Sequence, residues 1–163
     1  MALTKVQPEM MGQLTASIMP AGSVIQTVSA TTTTNSSSSG TSWVVATNFG
    51  ATITPQFSNS KIAIFMCGGM CDNGVSGSQV SLSIYRNNTT NLAPGASGND
   101  RGITEVYSVS SRVQIPISVS YVDSPATTSA TTYTLYFKPN GAGTAQINTD
   151  NNQGCIILQE IKQ

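Results

Sequence analysis

Residues 113–121 read Val113-Gln114-Ile115-Pro116-Ile117-Ser118-Val119-Ser120-Tyr121. Five apolar side chains alternate here without a break, and a period of two is typical of a β-strand with one buried face. Pro116 falls on the opposite face of this strand. Because proline lacks the amide proton that a sheet uses, we predict that the strand lies at a sheet edge or is bulged at Pro116.

The same period of two continues on both sides of this stretch, and turn residues separate the segments. Residues 61–66 and 155–161 are apolar on both faces, which is typical of a central strand that is covered on both sides. No segment has the pattern of a long helix. About eight to ten short strands predict an all-β protein, an antiparallel two-sheet β-sandwich or jelly roll.

The length of 163 residues is that of one domain, and we assign residues 21–163 to the sandwich. Residues 1–20 differ because they hold four of the six methionines, whose flexible side chains pack onto irregular surfaces. We interpret them as an arm that binds a partner surface or a neighbouring subunit; a frayed terminus is the alternative. The candidate contact residues of the arm are Leu3, Val6, Met10, Met11, Leu14 and Ile18.

Charge is scarce in this chain. Charged residues make up 9%, against about 25% in typical domains, and seven basic residues balance seven acidic ones. Nucleic-acid binding requires clustered positive charge, and the basic residues here are scattered, so we exclude nucleic acid as a partner. Apolar runs are too short to span a membrane, and the N-terminus has no pattern of a signal peptide. Near-zero net charge gives little repulsion between copies, which suits an assembly.

The residue types needed for catalysis are sparse. The chain has no histidine, which removes the commonest general base and metal ligand. We therefore predict no enzyme activity, no cofactor and no metal site, although two carboxylates could still meet across strands. The segments Asp72-Asn73-Gly74 and Asp150-Asn151-Asn152 resemble fragments of calcium loops but lack the full ligand run, so we interpret them as turns.

The three cysteines, Cys67, Cys71 and Cys155, do not form a disulfide framework, because their number is odd and their density low. The spacing of four between the first two is not that of a CxxC redox or zinc motif. We expect buried or half-buried thiols near a strand end; a metal or redox pair is the alternative. Residues 31–40, 87–91 and 148–153 are rich in hydroxyls and amides, which hydrogen-bond sugars or wet protein interfaces or simply keep loops soluble.

Beyond these patterns, the opening residues 1–6 look like the first residues of many phage tail-spike and tail-fibre proteins. The body resembles a small β-sandwich domain of tailed-phage virion proteins, found at the distal head of fibres and spikes, and also resembles trimeric capsid cement proteins. The segments that carry this resemblance are residues 20–26 (PAGSVIQ), 51–55 (ATITP), 60–62 (SKI), 121–133 (YVDSPATTSATTY) and 157–161 (ILQEI). The resemblance implies a jelly-roll-like sandwich that forms homotrimers and brings no catalytic residues. The candidate trimer contacts are Tyr121, Tyr133, Leu135 and Phe137; ordinary core positions are the alternative.

Our principal hypothesis is a capsid decoration (cement) protein, assembled in the bacterial host cytoplasm, whose trimers bind the major capsid protein on the outer surface of the virion. The absence of a repeat or heptad that could form a fibre shaft favours this hypothesis. The alternative is a tail fibre or tailspike head that binds a tail adaptor and recognises a host surface glycan. A polysaccharide depolymerase is the third hypothesis, and the scarcity of carboxylates disfavours it.

Overall fold

The computed structural model describes residues 15–94, 101–109 and 112–163. Within these ranges, eleven strands form two antiparallel sheets, which confirms the predicted all-β sandwich. The strands are β1 (Val24–Thr32), β2 (Ser36–Ser38), β3 (Val44–Ile53), β4 (Lys61–Asn73), β5 (Gln79–Arg86), β6 (Thr90–Asn91), β7 (Thr104–Tyr107), β8 (Val113–Asp123), β9 (Thr131–Asn140), β10 (Ala145–Ile147) and β11 (Gly154–Ile161). Two 3-10 helical turns lie at Ala16–Ile18 and Thr149–Asn151. A helix long and apolar enough to cross a membrane is not found in these ranges.

The first sheet is organised around β4, its longest strand. Its order is β1-β11-β4-β10-β2, and β8 pairs with the other side of β4. The second sheet has the order β3-β9-β5-β6, with β7 also paired to β5. Because side chains alternate between faces, each strand turns every second residue toward the other sheet. These inward residues form one core, which includes Ile62, Ile64 and Met66 of β4 and Leu135 and Phe137 of β9.

A two-glycine bulge divides β4 into two pairing segments. Residues 61–68 pair with β11, and residues 71–73 pair with β10. Gly68 has a φ angle of 73° and Gly69 one of 63°. This is a left-handed conformation that other residues adopt only with strain. The Gly69 amide donates to the Gln153 carbonyl at 2.7 Å, so the bulge holds the chain where β11 begins. One strand, β4, can thus pair with two shorter strands, β11 and β10, on the same side.

Strand β8 confirms the prediction made from Pro116. It is an edge strand of the first sheet, and its pairing with β4 shifts between Gly68 and Met70, where Met70 lies opposite Pro116. The proline therefore lies beside the bulge on a strand that has no second partner strand among the described residues, where the missing amide proton costs little.

Two other predictions are corrected by the structure. The sequence pattern predicts one strand at residues 43–46 and another at residues 51–55, stopped by Pro55. The structure has a single strand there, because β3 runs through most of both segments and its register with β9 shifts between Val45 and Gly50. Residues 61–66 lie in a central strand as predicted, but its outward face is only partly covered, because Phe65 is 42% exposed although Ala63 on the same face is buried. Burial of both faces therefore does not explain why residues 61–66 are apolar on both sides of the strand.

Buried polar contacts join the two sheets at one end of the sandwich. Arg86 of β5 donates from Nη1 to both carboxylate oxygens of Asp123 in β8, at 3.0 and 2.9 Å. The Tyr133 hydroxyl of β9 donates to the same carboxylate at 2.8 Å. Asp123 is buried, so the guanidinium and phenol supply the hydrogen bonds that water would otherwise give. This cluster fixes the register of one sheet over the other.

The bulge in β4 predicts an unequal response to two glycine substitutions. A Cβ at Gly68 would lie 2.7 Å from the Gln153 backbone oxygen, whereas a Cβ at Gly40 would meet nothing within 4 Å. Gly68→Ala should lower the free energy of unfolding by at least about 2 kcal/mol, because left-handed strain and a backbone clash add. Gly40→Ala should change it by less than about 0.5 kcal/mol. Urea unfolding measures both, and equal effects would contradict this account of the bulge.

Candidate binding surfaces

The outer face of the first sheet brings side chains from four strands into three rows. The rows are Thr27, Gln159, Ala63 and Val122; Ser29, Ile157, Phe65 and Ser120; and Thr31, Cys155, Cys67 and Ser118. The middle positions of these rows, on β11 and β4, are largely apolar, whereas the outer positions on β1 and β8 are mostly serine and threonine. We call these three rows the outer face of the first sheet.

This face combines an exposed apolar centre with a polar rim. At the centre, Phe65 is 42% exposed and Ile157 beside it is half-buried; at the rim, Val122 of β8 is an apolar exception and is 55% exposed. None of the twelve side chains in the three rows carries a formal charge at neutral pH. Depletion of charge at the centre and a hydroxyl rim are features of protein–protein interfaces. The face therefore has the composition of a contact surface.

The edge of the same sheet is formed by β8. In the part of the chain that the structure describes, this eleven-residue strand pairs with β4 and with no strand on its other side. An edge strand presents backbone groups that another chain can pair with, although Pro116 removes one donor. Tyr121 is half-buried on this edge and packs against the core, so part of its ring stays accessible.

Three of the four candidate trimer contacts have to be withdrawn. Tyr133, Leu135 and Phe137 are each 0% exposed within one protomer, where they form part of the core between the sheets. A side chain with no exposed surface in its own protomer cannot touch a second copy. The period of two locates these residues on one face of β9 but cannot distinguish the inner face from the outer one. Tyr121 remains a candidate.

The predicted arm is described only at its end. Leu3, Val6, Met10, Met11 and Leu14 lie outside the described residues. Ile18 is 61% exposed in the first 3-10 turn. The Lys162 ammonium donates to the carbonyls of Ser17 and Met19, both at 2.6 Å, so residues 17–19 are fastened beside the end of β11. These contacts attach residues 17–19, the last part of the predicted arm, to the sandwich at the end of the first sheet.

The thiols differ in burial. Cys67 is exposed and Cys155 half-buried, and they are direct partners across β4 and β11 on the outer face. Burial and the neighbouring Cys67 thiol raise the pKa of Cys155. Cys71 is buried, and burial together with the charge of Asp72 raises its pKa to about 12 from an ordinary 9.0. The expectation of buried or half-buried thiols thus fits Cys71 and Cys155 and is wrong for Cys67.

The two calcium-loop fragments meet in space. The Thr149 hydroxyl, next to Asp150, lies 3.5 Å from Oδ2 of the buried Asp72 carboxylate. The Arg112 guanidinium occupies that carboxylate, with Nε 2.8 Å from Oδ2, and both Asp72 and Asp150 raise the pKa of Arg112. The positive charge of Arg112 thus already neutralises the Asp72 carboxylate, the group that would otherwise bind a cation. Among the described residues, no group of three or more cysteine or acidic side chains is arranged to hold a metal ion.

The outer face of the second sheet is polar and aromatic. Tyr85 of β5 and Tyr136 of β9 stack with ring centroids 4.0 Å apart, and Trp43 lies 6.1 Å from Tyr85. Beside Tyr136, the register shift in β3 opens a depression of about 280 Å³ between β3 and β9. The sequence pattern does not single out either outer face as a site. The only signal is Phe65, an apolar residue at an outward position of a strand that the pattern predicts to be doubly covered.

Comparisons with known proteins give limited information. No protein-family model matches the chain, and no curated protein matches it. Among solved structures, the chain is similar to infectious bursal disease virus, Gx strain, at 14% identity and a TM-score of 0.44, over 84% of this chain and 36% of that chain. It is also similar to the VP2 subviral particle of that virus, at 18% identity and a TM-score of 0.45, over 84% of this chain and 33% of that chain. The chain spans only about a third of those proteins, and a likeness this weak assigns no function.

The order of thiol reactivity follows from the burial of the three cysteines. Cys67 should react first with a maleimide at pH 8, Cys155 more slowly, and Cys71 only after unfolding, because a thiol must be accessible and ionised to attack. Mass spectrometry of peptides after timed alkylation measures this order. Labelling of Cys71 in the folded protein at the rate of Cys67 would contradict the burial on which it rests.

Alkaline pH should destabilise the protein through Cys71. The folded pKa is raised from 9.0 to about 12. The stabilisation is therefore complete below the lower value and is lost as the pH rises toward the higher one, because only the unfolded thiol ionises there. The free energy of unfolding should fall by up to about 1.4 kcal/mol per pH unit from this residue. Burial and Asp123 also raise the pKa of Tyr133, which adds to the loss above its ordinary value of 10.0.

Cys71→Ala should make the pH dependence of urea unfolding shallower between pH 9 and 12. Ile64→Val, which shortens a buried side chain that cannot ionise on the same strand, is the matched control and should leave the slope unchanged. The slope is the informative quantity, because a lower stability of Cys71→Ala at pH 7 would reflect only the lost packing. An unchanged slope in Cys71→Ala would show that another group titrates.

Proposed function

We propose that this protein is a structural component of a virus particle, a homotrimeric decoration protein on the outer capsid of a tailed phage. The observation that carries the proposal is the outer face of the first sheet, an uncharged apolar centre with a hydroxyl rim. A monomer that works alone in water gains nothing from exposing Phe65 opposite Ile157, with Val122 diagonal to Phe65 on β8. Such a face is explained if a partner covers it.

We assign this face to the capsid shell. The arm supports this assignment, because residues 17–19 are fastened at the end of the same sheet and would extend the contact along the shell. The absence of charge in the three rows suits a partner surface that is also neutral, since burying an unpaired charge would cost several kcal/mol. The edge strand β8, with Tyr121, is the surface that we assign to contacts between copies.

Trimer formation would strengthen capsid binding without any new contact. Once one protomer of a trimer is bound, the other two faces are held near their own sites at high effective concentration. A modest affinity of each face is then sufficient for stable decoration, and the bound shell is stabilised by mass action. A mass in solution equal to that of one subunit would contradict the trimer.

The second candidate function is a host-binding head on the phage tail. It requires a surface that recognises a ligand in addition to one that holds the protein in place. The depression beside Tyr136 favours this candidate, because it lies on the opposite sheet from the proposed capsid contact. Copy number per particle separates the two: on the order of hundreds of copies indicates decoration, and roughly a few to a few dozen copies indicate a tail appendage.

A charge placed on the proposed contact face should abolish binding. Val122→Asp should weaken binding to capsids that lack the protein by at least about tenfold, because the carboxylate would be buried unpaired in the contact. Val109→Asp is the matched control, since Val109 is 75% exposed and lies outside the face. Co-sedimentation with capsids of the virus that encodes the protein measures both variants.

Alkylation of Cys67 gives an independent readout of the same contact. The thiol lies in the third row of the face and is exposed in the protomer, so bound capsid should protect it from a maleimide. Full labelling of Cys67 on decorated particles, or equal binding by Val122→Asp and Val109→Asp, would refute this face as the contact. Tight binding after removal of residues 1–19 would refute only the role of the arm.

A further inference from the structure

The depression on the second sheet is built by an irregularity of β3. The pairing of β3 with β9 is interrupted between Val45 and Gly50, and residues 46–49 leave the ladder, with Asn48 at a φ angle of 60°. Where pairing resumes, Gly50 lies opposite Thr134 and places no side chain over it. The bulge forms one wall of the depression. At Gly50 a Cβ would lie 2.8 Å from the Tyr133 backbone oxygen, so glycine allows β3 to approach β9 closely where pairing resumes. The lining residues are Val45, Asn48, Phe49, Gly50, Ala51, Thr52, Asn88, Thr132 and Thr134.

The lining combines an apolar floor with neutral polar side chains. Two amides, Asn48 and Asn88, and three threonines are the polar members, and no ionisable residue lines the depression. An anion or cation would find no opposite charge there, and a purely apolar ligand would leave amides and hydroxyls unpaired. The volume is about 280 Å³, just below that of pockets for drug-sized ligands, which starts at about 300 Å³. A small neutral ligand that offers both hydroxyls and C–H surface satisfies each of these constraints.

Tyr136 is not one of the lining residues, but it neighbours two of them, Val45 and Asn88. It pairs with Val45 and lies two residues after Thr134, on the same face of β9. Its hydroxyl hydrogen-bonds to the Asn88 carbonyl at 3.4 Å, and its ring stacks on Tyr85. The negative face of an aromatic ring attracts polarised C–H groups, such as those on the flat side of a pyranose ring. An aromatic ring beside amides and hydroxyls is the combination that a sugar requires.

The polar groups are held in place by their neighbours. The Thr52 and Thr132 hydroxyls lie 2.7 Å apart. The Asn87 amide donates to the Thr132 carbonyl at 2.8 Å, and the Thr132 amide donates to the Asn87 side-chain oxygen at 2.9 Å. These bonds hold the turn that carries Asn88 against β9. The Asn48 amide donates to Thr34 Oγ1 at 3.2 Å. A site whose donors are already fixed loses little conformational entropy on binding.

We propose that this depression binds a neutral hexopyranose or N-acetylhexosamine unit of a glycan. The apolar floor and Tyr136 contact the C–H face of the sugar, and Asn48, Asn88 and Thr132 hydrogen-bond its hydroxyl or acetamido groups. The site lies on the sheet opposite the proposed capsid contact, so a decoration protein and a tail head could use it equally. If the glycan site were disproved, the proposed capsid contact would still stand. If the capsid contact were disproved, the glycan site would still stand.

The test is an NMR titration of the full chain with methyl glycosides of glucose, galactose, mannose and N-acetylglucosamine, with methyl glucuronide as a charged comparison. A dissociation constant on the order of 1 mM is expected for at least one neutral glycoside. Its shifts should centre on the Asn48 and Asn88 side-chain amides and the Thr132 backbone, and leave Phe65 unchanged. Absence of saturable shifts with every neutral glycoside, or equal shifts with the glucuronide, would overturn the proposal.

Variants separate the sugar contacts from folding. Asn88→Gly removes the amide at a position whose φ angle is 56°, a conformation that glycine adopts without strain. Tyr136→Ala removes the ring. Each should weaken binding by at least about fivefold. Asn151→Gly is the matched control, because Asn151 is exposed, has a φ angle of 57° and lies outside the depression. Equal affinity of Asn88→Gly and Asn151→Gly, with both folded by their NMR spectra, would refute the assignment.

Discussion

The two-glycine bulge of β4 is the constraint on which the rest of the sandwich depends. Before the bulge, β4 pairs with β11, and after it β4 pairs with β10, so one strand joins two separate segments of the chain on the same side. The left-handed glycines Gly68 and Gly69 turn the strand without a Cβ that would strike the backbone of Gln153 or the side chain of Asn148. Opposite this turn, β8 shifts its register at Pro116. The edge of the first sheet and its outer face both follow from this local geometry.

Most of the described acidic side chains are paired within the protomer. Among the described acidic residues, Asp123 pairs with Arg86, Asp72 with Arg112 and Glu105 with Arg101, while Glu160 accepts the backbone amides of residues 56 and 57. The outer faces are not free of charge, because Lys61 of β4 and Lys138 of β9 lie at outward positions. None of these acidic groups lies in the three rows that form the outer face of the first sheet, so an interface formed on those rows has little long-range electrostatic steering to lose in salt.

The fold was predictable from the sequence, because alternation over Val113–Asp123 and the turn residues between segments follow directly from strand geometry. Even the edge position of β8 followed from Pro116. The sites were not predictable to the same extent. The alternating pattern shows that Tyr133, Leu135 and Phe137 share one face of their strand, but it does not show what covers that face. The pairing of Cys67 with Cys155 depends on strands that are far apart in the sequence. The β3 irregularity has no stronger local signal than Asn48, a residue type tolerated in a left-handed conformation.

The two outer faces differ because their strands alternate different residue types outward. On the first sheet, β4 and β11 direct Phe65 and Ile157 outward, whereas on the second sheet β9 directs Thr132, Thr134 and Tyr136 outward. Both sheets must turn apolar residues inward, so the core leaves the outward positions free to diverge. An apolar outer face reduces the solubility of a lone protomer and is tolerable only if it is covered. A hydroxyl and aromatic face has no such cost, and it can therefore remain open to solvent while the other is held against a partner.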